Sequence, residues 1–169
     1  MSSKFFYFAL FLAMISTSHQ ASEFVTQSCA KTLFKDLCTT ALESSSPTDL
    51  EGLTKDALNV LSTNGTERVK LSSELQETAS DPNVKEVLVE CSKAYEGVTK
   101  KLKDSAAAFD SKAYGDLTKW VTAAMTGSQK CSEAFKAKPD ITSPLAAANT
   151  EYNKLCNIVF AFFNILAKS

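Results

Sequence analysis

Five cysteines set along helix-patterned sequence, Cys29, Cys38, Cys91, Cys131 and Cys156, constrain this chain more than any other feature. They follow an apolar leader: Lys4 supplies a positive start and Phe5 to Ile15 form a run too short to cross a bilayer. Small residues Ser16 and Ser18 predict cleavage after Ser18, with Ala21 as the competing position, so residues 1–22 are read as a signal peptide rather than an anchor. A secretory route is oxidising, so most of these thiols are expected to pair. Five cysteines allow many pairings and leave one over, and spacing alone does not choose among them.

The mature chain, about 147 to 151 residues, is the size of one ordinary domain. Losing Lys4 with the leader takes the basic residues from 18 to 17 against 19 acids, a net charge of −2. That balance carries no basic excess for nucleic acid and no acidic tail. With only five glycines and four prolines, a turn-rich β scaffold is disfavoured and helices joined by short connections are favoured.

Turn-rich clusters at 44–47, 80–82 and 138–144, and a polar stretch at 110–115, separate four long periodic segments. In segment 84–109, Val84, Val87, Leu88, Cys91, Tyr95, Val98, Leu102, Ala106 and Phe109 recur at alternating spacings of three and four, a single apolar stripe. Asp81-Pro82 ahead of it reads as a cap followed by a first-turn proline. Segment 116–135 lines up Leu117, Trp120, Val121, Ala124, Ser128, Cys131 and Phe135, with Trp120 expected on the core side. In segment 144–167, Ile158, Phe160, Phe163 and Ile165 widen the stripe into an almost all-round apolar surface, as for a central helix touching several neighbours. Segment 48–79 begins at Thr48 or Asp49 as N-cap, and its middle, Ser62-Thr63-Asn64-Gly65-Thr66, forms helix poorly and predicts a kink or break. Residues 23–43 form two short helices around Lys31-Thr32. The fold class expected is therefore all-α: an up-down-up-down four-helix bundle over 48–169 with an N-terminal helical hairpin over 23–47.

Ser28-Cys29-Ala30-Lys31-Thr32 with Asp36-Leu37-Cys38, then Asp49-Leu50-Glu51-Gly52-Leu53, Asp81-Pro82 and Glu90-Cys91-Ser92 with Tyr95, resemble the plant invertase and pectin methylesterase inhibitor family. Cys131-Ser132-Glu133-Ala134-Phe135 and Leu155-Cys156-Asn157-Ile158-Val159 extend the resemblance over essentially the whole mature chain. It implies a hairpin closed by Cys29–Cys38, a bundle tied by Cys91–Cys131 between its second and third helices, and a free thiol at Cys156 in the last helix. It also implies a secreted inhibitor that docks 1:1 over the active-site cleft of a pectin methylesterase or an acid invertase.

Catalysis finds no support in the residues. The only histidine, His19, lies at or before the new N-terminus, so neither a nucleophile–histidine pair nor a zinc site can be assembled, and no metal or cofactor is expected. The carboxylates Glu74 with Glu77, and Asp104 with Asp110, are spaced like solvated helix faces. A bundle that binds a small apolar ligand, with Tyr152, Phe160, Phe162 and Phe163 lining a cavity, is a further reading.

Between the two targets, the turn Ser111-Lys112-Ala113-Tyr114 lacks the Pro-Lys-Phe found in some invertase inhibitors of the family and points to the methylesterase. Lys130 and Ser132, on either side of Cys131, depart from the pattern of many methylesterase inhibitors. In the family the exposed faces of the second to fourth long helices carry methylesterase contacts. Here the second and third offer Lys100, Lys103, Lys119, Thr122 and Lys130, and the loop adds Lys112 and Tyr114. Asn64-Gly65-Thr66 is an N-glycosylation sequon, expected to face solvent and, if occupied, to keep that face away from an enzyme. Ala167-Lys168-Ser169 carries no retention signal, which makes the extracellular space the expected destination and the vacuole its alternative.

Overall fold

A computed structural model describes residues 21–109 and 114–169, leaving aside the side chains of 106–108. The leader up to residue 20, His19 and Lys112 lie outside the described residues. Six helices follow in order: α1 (Glu23–Cys29), α2 (Lys35–Ala41), α3 (Leu50–Thr78), α4 (Pro82–Ala108), α5 (Tyr114–Lys136) and α6 (Ala146–Leu166). No strand occurs among the described residues.

α1 and α2 form the hairpin. Ser22 caps α1, its Oγ accepting from the Val25 amide at 3.2 Å. Cys29 and Cys38 join the two helices across a Cα separation of 5.5 Å. Val25, Cys29, Cys38 and Leu42 are fully or almost fully buried. α2 packs on α6, where the Lys154 ammonium sits 5.7 Å from the centre of the Phe34 ring.

Helices α3 to α6 close into a ring of neighbours, with α3 against α4, α4 against α5, α5 against α6, and α6 back against α3. Asp49 is the N-cap of α3, its Oδ1 accepting from the Gly52 amide at 2.8 Å. Asp81 caps α4 through the Asn83 amide at 2.7 Å, with Pro82 opening the helix. The apolar stripes of all four helices meet inside, from Leu53, Leu58 and Leu61 through Leu88, Leu102 and Leu117 to Leu155 and Phe162. The α4–α5 pair is fastened by Cys91–Cys131 at a Cα separation of 4.8 Å, and Cys156 is buried and unpaired. Both pairings match those the resemblance implied.

The break expected in the first long helix does not occur. α3 runs unbroken from Leu50 to Thr78 through the stretch Ser62 to Thr66. Packing overrides the weak local propensity there. Gly65 is buried where α3 comes close to two neighbours: a methyl group in its place would lie 2.6 Å from Thr99 Oγ1 of α4 and 3.1 Å from the Tyr152 hydroxyl of α6. The residue that weakens the helix in isolation is the one that lets its backbone approach the core. Gly127 does the same for α5, where an added carbon would sit 3.3 Å from the Ala94 carbonyl of α4.

No helix among the described residues is long and apolar enough to cross a membrane. Tyr152, Phe162 and Phe163 are buried in the core and Phe160 packs half-buried against it, so these aromatics hold the bundle together.

Candidate functional site

The antiparallel pairing of α4 and α5 is fixed by two contacts, Cys91 with Cys131 and Ala94 with Gly127. That register sets Lys100 and Lys103 level with the stretch of α5 holding Lys119 and Thr122. Lys130 lies near the disulfide, roughly 12 Å further along the bundle axis at 1.5 Å per residue. All five side chains are exposed. Lys119 is already engaged by Asp116 one turn earlier, at 3.0 Å, and Thr122 donates to the Thr118 carbonyl at 2.8 Å. Lys100, Lys103 and Lys130 have no such partner among the described residues.

Tyr114 is not in a loop. It is the first residue of α5, half-buried, its ring edge-on to Phe109 with centroids 5.5 Å apart. Its hydroxyl donates to Glu51 Oε1 of α3 at 2.8 Å, and that carboxylate raises the phenol above its ordinary pKa. Tyr114 thus ties the start of α5 to α3. Trp120 is half-buried against the core, as its place in the stripe predicts.

Sequence reasoning missed an interior polar hub centred on Asn149 of α6. Its Oδ1 accepts from the Tyr95 hydroxyl of α4 at 2.5 Å, and its Nδ2 donates to Ser132 Oγ of α5 at 3.0 Å and to Cys131 Sγ at 3.4 Å. Ser128 of α5 donates to the Asn149 carbonyl at 3.3 Å. The signal was present as Ser128 in the α5 stripe, but one helix does not show what a buried hydroxyl will meet. The Tyr95 and Tyr152 rings meet edge to face at 5.3 Å, and burial raises both phenols above their ordinary pKa, that of Tyr152 strongly. Beside them, burial pushes the Cys156 thiol up to about 12, so it stays a protonated core residue at any physiological pH. Arg68 of α3, with 11% of its side chain exposed, closes the cluster: its Nε donates to Asn64 Oδ1 at 3.2 Å and its guanidinium lies 3.7 Å from Glu151 of α6.

This hub explains one departure from the family pattern. Ser132 is half-buried, accepts from Asn149 and donates to the Ser128 carbonyl at 3.2 Å. Its hydroxyl serves the interior, whereas Lys130, two residues earlier, points outward. Among the described residues no three His, Cys, Asp or Glu side chains are grouped to hold a metal ion.

The fold is a helical bundle braced by two disulfides, with its polar groups on the outer faces. The chain belongs to the family described as plant invertase/pectin methylesterase inhibitor, which matches residues 23–162. It is 29% identical over 148 residues to a pectinesterase inhibitor of Actinidia deliciosa, covering 86% of this chain and 80% of that one. It is 26% identical over 161 residues to a cell wall / vacuolar inhibitor of fructosidase of Arabidopsis thaliana, covering 92% and 89%. In fold it superposes on a crystal structure of a mutant form of an Arabidopsis pectin methylesterase inhibitor with a TM-score of 0.69 at 22% identity, over 81% of this chain and 93% of that one. A crystal structure of a pectin methylesterase inhibitor from Arabidopsis thaliana gives 0.63 at 24% identity, over 86% and 97%. The family consists of proteinaceous inhibitors, and the protein is not an enzyme.

Proposed function

We propose that the protein is a secreted inhibitor of pectin methylesterase in the plant cell wall, acting by docking 1:1 over the enzyme's active-site cleft. The observation that carries this reading is a pair of helices, α4 and α5, fastened by Cys91–Cys131, on whose surfaces Lys100, Lys103 and Lys130 stand exposed. A surface held this firmly loses little conformational entropy on docking, which favours affinity, and inhibition follows from steric exclusion of substrate. With Ser132 occupied by the hub, Lys130 alone remains as a departure at the surface. The Actinidia relative named for pectinesterase supports the same target. Lys112 stays a candidate contact from its place in the α4–α5 connection.

The second reading, an inhibitor of cell-wall or vacuolar acid invertase, is favoured by the Arabidopsis fructosidase-inhibitor relative, which covers nearly the whole chain. The two separate in one experiment. Oxidised mature protein is assayed at mildly acidic pH against a pectin methylesterase and an acid invertase; inhibition of the methylesterase is expected, and inhibition of invertase alone overturns the choice. Lys130→Glu is expected to weaken inhibition about tenfold by reversing a charge at the rim of the interface. Unchanged inhibition with an unchanged melting curve removes Lys130 from the contact set.

A further inference from the structure

The sequon Asn64-Gly65-Thr66 lies in the middle of α3, and the geometry there separates the two ends of the asparagine amide. Oδ1 is held by Arg68 Nε at 3.2 Å, and Arg68 in turn reaches Glu151 of α6 at 3.7 Å. Nδ2, the atom to which a glycan is attached, has no hydrogen-bond partner among the described residues, and it is not one of the buried side-chain atoms left without one. An amide nitrogen that is neither bonded nor buried faces water. The surrounding turns are open and polar, with Thr63, Thr66, Glu67 and Glu151 all exposed. Because an N-linked sugar leaves Oδ1 untouched, the folded protein holds a glycosylated Asn64 with the Arg68 contact intact.

We infer that Asn64 carries an N-linked glycan, and that this glycan covers the α3–α6 edge of the bundle and leaves the α4–α5 edge as the docking face. The ring of helix neighbours places those two edges on opposite sides. Attachment precedes folding, so the continuity of α3 does not block it; the fold decides only where the sugar ends up. The second half of the inference rests on the inhibitor reading, whereas the first needs only entry into the secretory route.

The test expresses the full chain with its own leader in plant cells, as wild type, Asn64→Gln and Thr66→Ala. Wild type is expected to migrate more slowly and to lose the difference on endoglycosidase treatment, with neither variant shifted. Secreted wild type without that shift overturns the glycan; no secretion at all overturns the leader on which it depends. Inhibition by glycosylated and deglycosylated wild type is then compared. Inhibition constants within twofold are expected, and a tenfold weakening by the native glycan overturns the face assignment. The complementary variant is Gly97→Asn, which makes a new sequon with Thr99 on the exposed side of α4, one turn past Ala94. A side chain at position 97 meets nothing within 4 Å, so the substitution itself is accommodated. Its glycosylated form is expected to inhibit at least tenfold more weakly than the same protein after endoglycosidase treatment, and equal inhibition by the two forms overturns the docking face. If no form inhibits either enzyme, the inhibitor reading fails while the glycan is still decided by the mobility shift.

Discussion

The hairpin and the bundle are both helical and both disulfide-bonded, yet they are stabilised in different ways. α1 and α2 are seven residues each, well below the length at which an isolated helix holds together in water. Their buried set is small, and Leu33 between them stands 88% exposed. α3 to α6 are 21 to 29 residues long and share one continuous core. In the hairpin the bridge joins two helices too short to stand alone, which add only Val25, Cys29, Cys38 and Leu42 to the edge of the common core. In the bundle the bridge reinforces long helices that supply most of that core, across the pair proposed to meet the enzyme.

The largest effect that sharpens this contrast comes from Cys91→Ser with Cys131→Ser. A bridge spanning 40 positions confines the unfolded chain by about 4 kcal/mol in the chain-entropy account. Urea unfolding followed by circular dichroism should show a cooperative loss approaching that size. A change below about 1 kcal/mol would show that the bundle core makes its bridge redundant.

Gly65→Ala probes the packing side of the comparison. Helix propensity favours the alanine by roughly 1 kcal/mol, but crowding Thr99 and Tyr152 costs about 1–3 kcal/mol. A net loss of about 1 kcal/mol is expected, against a gain of about 0.5–1 kcal/mol for Gly97→Ala at an open position. Stabilisation by both would mean that α3 does not approach the core as closely as its glycine suggests.

The smallest global effect is expected from Cys29→Ser with Cys38→Ser. The bridge spans nine positions and is worth about 3 kcal/mol of closure entropy, spent on the hairpin alone. Hydrogen exchange should show amides of α1 and α2 losing protection while those of α4 and α5 keep theirs. Loss of protection throughout the bundle would make hairpin and bundle one cooperative unit and end the distinction.

Much of this architecture was legible in the chain because it is written locally. The stripe from Val84 to Phe109, the Asp81-Pro82 start and the apolar surround of α6 depend on residues three and four apart, which one helix reveals. What escaped was set by partners distant in sequence. Ser62 to Thr66 reads as a break until Thr99 and Tyr152 are brought beside Gly65. Tyr114 reads as a loop residue until Glu51, 63 positions earlier, accepts its hydroxyl. The lysines were identified as exposed from periodicity, yet the pairing of Lys119 with Asp116 and the freedom of Lys130 needed side-chain geometry.

The Asn149 hub bears on how four similar amphipathic helices settle on one alignment. Leucine stripes tolerate sliding, since a shift of one turn trades one apolar contact for another. A carboxamide shared by Tyr95, Ser132 and Cys131 does not, because a displaced α6 would leave buried donors and acceptors stranded at about 1–3 kcal/mol each. Three helices are thereby pinned lengthwise at a single point, and α6 takes its register from the α4–α5 pair that the disulfide already holds.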